Sequence, residues 1–353
     1  MPTFDQWLAG GSRRAVSLRS GTWNIFARTE GAGDWCTLLH GFPTSSFDWH
    51  PIWDPVRRRR RLLTFDFLGF GDSDKPSEHT YSIVEQADIT EAIWRAHDVR
   101  RTALVVHDYG VSVGQELLAR RAEGTLAIDV PVIVFLNGGL YPEMHRPQPA
   151  QLMLLDPEQG SRMGDLVTEE LFGRGLSRTF SPSHQPSEAE LHELWLSVVR
   201  RDGHRIGHRL IQYIPDRRQH RDRWVGALET TSVPRHFMWG DLDPVSGAHM
   251  ADRIAAGIPG ADLIRLSDVG HWPQLEAPDT SSTSSSACSA ERTAHPRSRS
   301  ATFRDLSVAG LPLVGASGQM DGSQRARANR EGEARGDAQE KRRPSDDETW
   351  RYG

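Results

Sequence analysis

Six short apolar runs, each stopped abruptly by polar or glycine residues, constrain this chain more than any other feature. They are Cys36 to Leu39 (CTLL), Leu62 to Phe65 (LLTF), Ala103 to Val106 (ALVV), Val130 to Leu136 (VPVIVFL), His236 to Trp239 (HFMW) and Ala261 to Leu266 (ADLIRL). Runs this short, apolar almost throughout rather than alternating, suit strands covered on both faces, as in a parallel sheet. Between them, stretches such as Ile83 to His97 and Val113 to Ala122 carry helical spacing. Alternating strand and helix predicts an α/β fold with a doubly wound, mostly parallel sheet. The earlier segment from Ala15 to Arg28 predicts an antiparallel strand pair at the sheet edge.

The pattern breaks twice. After Leu140 strand signals vanish, and helical stretches separated by Pro and Gly run to about Val225. Ser187-Glu188-Ala189-Glu190 reads as a capping box opening one of these helices. The expectation is a core in two parts, residues 1–139 and 229–278, with a helical cap at 140–228. From residue 279 to 353 the chain turns Ser-, Arg-, Gly- and Glu-rich, a composition that buries too little surface to offset chain entropy. That tail is expected to be disordered and non-catalytic.

The remaining composition excludes several function classes. A net charge of −5, with both signs spread along the chain, gives no basic surface for nucleic acid. The two cysteines, Cys36 and Cys288, suggest a reducing compartment rather than a disulfide framework. No apolar run approaches the length of a membrane span, and the first residues lack a signal-peptide core. A cytoplasmic protein with a small-molecule substrate is expected. No metal-ligand spacing and no phosphate-binding glycine loop is present, so no cofactor is expected.

The chemistry sits where the apolar runs end. ALVV is followed at once by His107-Asp108-Tyr109-Gly110, a strand–turn–helix that lifts one residue above the sheet edge. Gly110 supplies the small residue such a turn needs, and the helix N-terminus favours negative charge there. The same stretch matches G-x-S-x-G literally at Gly110 to Gly114. A nucleophilic Ser112 would require polar His107, Asp108 and Tyr109 inside a buried strand, so Asp108 is preferred. CTLL is followed by His40-Gly41-Phe42-Pro43, which can aim the Phe42 N–H at the reacting centre beside that of Tyr109, a two-donor oxyanion site. HFMW leads to Asp243, and ADLIRL leads to His271. Parallel strands end on one edge, so Asp108, Asp243 and His271 should converge there in the order nucleophile, acid, histidine.

These motifs resemble the α/β-hydrolase superfamily, in its epoxide hydrolase and haloalkane dehalogenase branch, and in particular the mesoderm-specific transcript proteins and their bacterial relatives. The likeness runs from about Trp7 to Asp279. It is carried by HGFPTSSFDW (His40 to Trp49), DFLGFGDSDKP (Asp66 to Pro76), HDYG (His107 to Gly110), NGGLYPEMHRP (Asn137 to Pro147), LIQYI (Leu210 to Ile214), GDLDPV (Gly240 to Val245) and HWPQLEAPD (His271 to Asp279). The resemblance implies an α/β-hydrolase fold and an aspartate nucleophile at Asp108. It implies substrate contacts from cap tyrosines, with Tyr213 placed better than Tyr141, and from Trp49. Haloalkane dehalogenases carry a tryptophan after the nucleophile and an asparagine after His-Gly to hold halide. Tyr109 and Phe42 stand there instead, which turns the expectation toward epoxide hydrolysis. The family's final helix is missing after HWPQLEAPD, as if a shifted reading frame had replaced the end, and lowered stability is expected. Two further readings stay open, a serine esterase acting through Ser112 and a non-catalytic member that binds a ligand or partner.

Overall fold

The computed structural model describes residues 1–278. The tail, and with it the question of a replaced final helix, lies outside the described residues. Eight strands form one sheet: β1 (Gly11–Leu18), β2 (Gly21–Glu30), β3 (Trp35–Leu39), β4 (Arg61–Phe65), β5 (Thr102–Val106), β6 (Ile133–Leu136), β7 (Arg235–Gly240) and β8 (Asp262–Leu266). Their order is β1-β2-β4-β3-β5-β6-β7-β8. The first two are antiparallel to each other, and β2 is antiparallel to β4. From β4 through β8 every pairing is parallel. Each of the six apolar runs contains a strand, although β6 covers only Ile133–Leu136 of the run from Val130, and the edge pair extends beyond Ala15 to Arg28 at both ends.

Burial explains why the inner runs are apolar: side chains on a strand alternate between faces, and both faces of the inner strands are covered. The expectation fails for β8, which lies at the sheet edge with Asp262 and Arg265 exposed. In β6, Ile133 and Phe135 join one core cluster while Val134 and Leu136 join the other. In β7, Phe237 and Trp239 face the first cluster and Met238 the second. Phe135 and Phe237 stack across the strand pair with ring centroids 5.4 Å apart. Polar residues inside the strands are paired: Thr37 shares a hydrogen bond with Thr102 and accepts one from Trp94.

Between β6 and β7 the described chain forms helices and no strand. The helix Glu188–Val199 opens on Ser187 with a complete capping box. The last helix of the segment, Arg221–Thr230, lies beside the helix Tyr109–Ala122. There Trp224 Nε1 donates to Glu116 at 2.8 Å, and Arg223 Nε donates to the same carboxylate at 3.0 Å. It therefore belongs to the layer covering the sheet. Among the described residues no helix is long and apolar enough to cross a membrane.

Phe135→Ala should remove a fully buried ring from the sheet centre and lower stability by roughly 3–5 kcal/mol, read from the denaturant midpoint at unchanged slope.

Candidate active site

The C-terminal ends of β3, β5, β6, β7 and β8 lead directly to Gly41-Phe42, Asp108, Asn137, Asp243 and His271. Asp108 occupies a strained turn with φ 42° and ψ −99°, between β5 and the helix Tyr109–Ala122. A non-glycine residue with positive φ costs of order 1–3 kcal/mol and persists only where its surroundings enforce it. Here the enforcement is visible. The Asp108 N–H donates to the Asn137 carbonyl at 2.9 Å, and the Gly110 N–H donates to the His107 carbonyl at 2.8 Å. A Cβ on Gly110 would lie 2.6 Å from the Leu39 carbonyl oxygen, so only glycine lets the turn approach β3 this closely.

The Phe42 N–H donates to Asp108 Oδ2 at 3.1 Å. Asp108 Oδ1 makes no hydrogen bond among the described residues, and the nearest cation, Arg217 Nη2, stands 3.8 Å away. Tyr109 is the first residue of the following helix, with its ring packed against Phe67, Phe70 and Tyr213.

His271 Nδ1 lies 2.7 Å from Asp243 Oδ2. That same oxygen accepts from the Asn137 side-chain amide at 3.0 Å and from the Ser246 hydroxyl at 2.7 Å, while Oδ1 accepts the Val245 N–H at 2.7 Å. Burial alone would raise the Asp243 pKa. The neighbouring His271 and these donors outweigh it and hold the carboxyl below its ordinary range. Burial works against a charged His271 too, yet the Asp243 carboxylate and, more weakly, Asp108 push it up to about 9.

The loop carrying His271 is braced from two sides. Glu276 accepts from the backbone N–H groups of Gly270, Trp272 and Ser181. His107 is fully buried, and burial holds it neutral, down to about 3. Its Nδ1 accepts from Gln274, so Nε2–H donates to the His271 carbonyl at 2.8 Å. His40, likewise held down to about 3 by burial, accepts the Phe67 N–H and donates to the Gly41 carbonyl.

Four residues escaped sequence reasoning. Asn137, Glu276 and His107 lie in stretches singled out above, and Asn137 obeys the rule that found Asp108, a polar residue just past a strand. The fourth, Arg217, carried no signal. It sits in the helix Tyr213–Gln219 and is 1% exposed. Its Nε donates to Ser112 Oγ at 2.6 Å, its Nη2 to the Asp108 carbonyl at 2.8 Å, and its guanidinium lies 4.5 Å over the Tyr213 ring.

Asp108 and His271 line one cavity of about 600 Å³ with Phe42 and many side chains of the helical segment. Tyr213 stands just behind that wall, its ring 5.7 Å from Phe42 and its hydroxyl accepting from Gln151 at 3.3 Å. The structure does not bring Trp49, Tyr141 or Ser112 to this cavity. Trp49 is fully buried in the core cluster beneath β3 and β4, because the turn Ser46–Trp49 packs its rings inward. Tyr141 donates to Glu229 at 3.1 Å under Arg253, on the side of the sheet layer. Ser112 lies inside the helix Tyr109–Ala122, fully buried and bonded to Arg217 rather than to a histidine. No cluster of metal-ligating side chains occurs among the described residues.

Two outcomes follow from this network. The His271 proton stabilises the fold fully below the unfolded histidine value of 6.5, and that contribution is lost as pH rises through about 9. Melting temperatures of wild type and Asp243→Asn should therefore be well separated at pH 6 and draw together above pH 9. Arg217→Met should cost roughly 3–5 kcal/mol in a denaturant titration, since it strands the Asp108 carbonyl and Ser112 in a dry interior.

Comparison with known proteins agrees with this architecture. The family model described as the alpha/beta hydrolase fold matches residues 37–278. The human mesoderm-specific transcript homolog protein is 41% identical over 258 residues, 70% of this chain and 76% of that protein. A putative hydrolase, LipZ, of Mycobacterium tuberculosis is 39% identical over 280 residues, 78% of this chain and 94% of that protein. Among solved structures, the haloalkane dehalogenase DbeA of Bradyrhizobium elkani superposes with a TM-score of 0.64 at 22% identity, covering 76% and 94% of the two chains, a likeness of fold alone. With that match across two thirds of its length and relatives at this identity, the chain belongs to the α/β-hydrolase fold family.

Proposed function

We propose that this hydrolase works through Asp108 as a carboxylate nucleophile, forming a covalent ester intermediate, with the helical segment serving as a cap over the site. One observation carries the reading. The Phe42 N–H binds a single Asp108 oxygen, Oδ2, which leaves Oδ1 for attack. It also places a donor where an oxyanion would form on Oδ2 when that ester is hydrolysed, with the Tyr109 N–H as its expected partner.

The substrate class that suits this arrangement is an epoxide. Asp108 Oδ1 bonds to a ring carbon as the carbon–oxygen bond of the epoxide breaks. The released alkoxide takes a proton from Tyr213, whose hydroxyl is bonded to the wall residue Gln151 and turns past it into the cavity to deliver the proton. The Tyr213 hydroxyl accepts from Gln151 and so keeps its own proton to give, and burial, with the Asp108 charge nearby, keeps the phenol protonated. His271 passes its resting proton through solvent to the Tyr213 phenolate and then takes a proton from water, the hydroxide adds to the ester carbonyl, and collapse expels the diol alkoxide, which takes the proton of the newly formed Asp108 carboxyl, so that Asp108, Tyr213 and His271 all return to their starting states. His271 must be neutral for this step. In the resting protein the Asp108 charge helps keep it protonated. Ester formation neutralises Asp108 and removes that smaller contribution, which lowers the cost of giving up the His271 proton while Asp243 continues to orient the ring.

His271→Gln should accept the substrate and fail at the second step. Incubated with epoxides and mapped by peptide mass spectrometry, it should carry a stable adduct on Asp108. An adduct on Ser112 would overturn the mechanism.

A further inference from the structure

The cavity above Asp108 has a polar floor, an apolar wall and an apolar mouth. At its floor, Asp108 and His271 are 5% and 4% exposed. Its wall runs past Phe172, Trp195, Val198 and Leu210. At its outer end it reaches Met153, Leu166 and Leu171, which are 42%, 64% and 48% exposed. A single exposed leucine is ordinary on a protein surface. Three large apolar side chains that are solvent-exposed and also line one cavity are not, and Leu152, 54% exposed, adjoins them. The lining holds three lysine and arginine side chains; Arg178 is exposed to solvent, and the other two are already engaged. Lys75 donates to the Gly71 and Ser73 carbonyls, and Arg174 pairs with Glu170 at 3.5 Å.

We infer that this cavity takes an elongated apolar molecule, with its reactive carbon at the Asp108 end and its far end at the exposed rim formed by Leu166 and Leu171. The volume of about 600 Å³ lies within the ~300–1,000 Å³ range of pockets that enclose a whole small ligand. The inference rests on the carboxylate reading only for which end of the molecule reacts. The selecting force is burial of successive methylenes along the wall, so affinity should grow with chain length.

The test uses unreactive straight-chain 1-alkanols, from butanol to dodecanol, titrated calorimetrically into the full-length wild-type protein. Each added methylene should tighten binding about fourfold, the equivalent of ~0.8 kcal/mol per buried methylene. A dissociation constant that stops changing beyond butanol would overturn the inference. The double variant Leu166→Asp/Leu171→Asp changes exposed positions, so the fold should tolerate it. It should weaken dodecanol binding about tenfold or more and leave butanol unchanged, whereas equal effects on both, or none, would count against a chain reaching the rim. Terminal epoxides of the same lengths, given to His271→Gln, separate this inference from the mechanism. Adducts on Asp108 at a rate independent of chain length would keep the mechanism and sink the substrate class. Length-dependent alkanol binding with no adduct on Asp108 would do the reverse.

Discussion

The side chain of Asn137 is the interaction on which the rest of the site depends. It stands just past β6, at the centre of the sheet edge. Its amide nitrogen donates to the Gly240 carbonyl and to Asp243 Oδ2, and its amide oxygen accepts the Gly240 N–H. Its main-chain carbonyl receives the Asp108 N–H. One residue thus fixes the strained turn on one side and the acid on the other. An unpaired polar group here would carry the full cost of burial, so the network holds only because each member satisfies the next.

Charge is distributed by the same logic. Asp243, His271, Asp108 and Arg217 are all buried, and isolated buried charges are expensive. They are tolerated because each faces an opposite charge or several donors. The two other histidines at the site, His40 and His107, are held neutral by burial and serve as hydrogen-bond relays that shape the Gly41-Phe42 and His271 loops. Arg217 reaches the turn from the helical segment, so that segment and the turn carrying Asp108 are mechanically joined.

Much of this was legible in the sequence. A strand buried on both faces must be apolar, and a polar residue cannot continue it, so strand ends announced themselves in CTLL, ALVV and HFMW. The placement of Asp108, Asp243 and His271 followed because parallel strands end on a common edge. Aromatic side chains were read less well. Trp49 and Tyr141 lie in family-like motifs, but motif membership does not say which way a ring points, and both rings turn away from the cavity.

The sequence by itself determined the fold class, the edge on which the site is built and the residues that meet there, because strand periodicity and strand-end polarity are local properties of the chain. The tertiary structure alone decided which polar residues support them. Arg217 and Arg218 are adjacent and chemically identical, yet one is buried against Asp108 and Ser112 while the other faces solvent. Only the packing of a distant helix distinguishes them. The shape of the cavity is likewise set by several helices meeting at once, and no single stretch of sequence contains it.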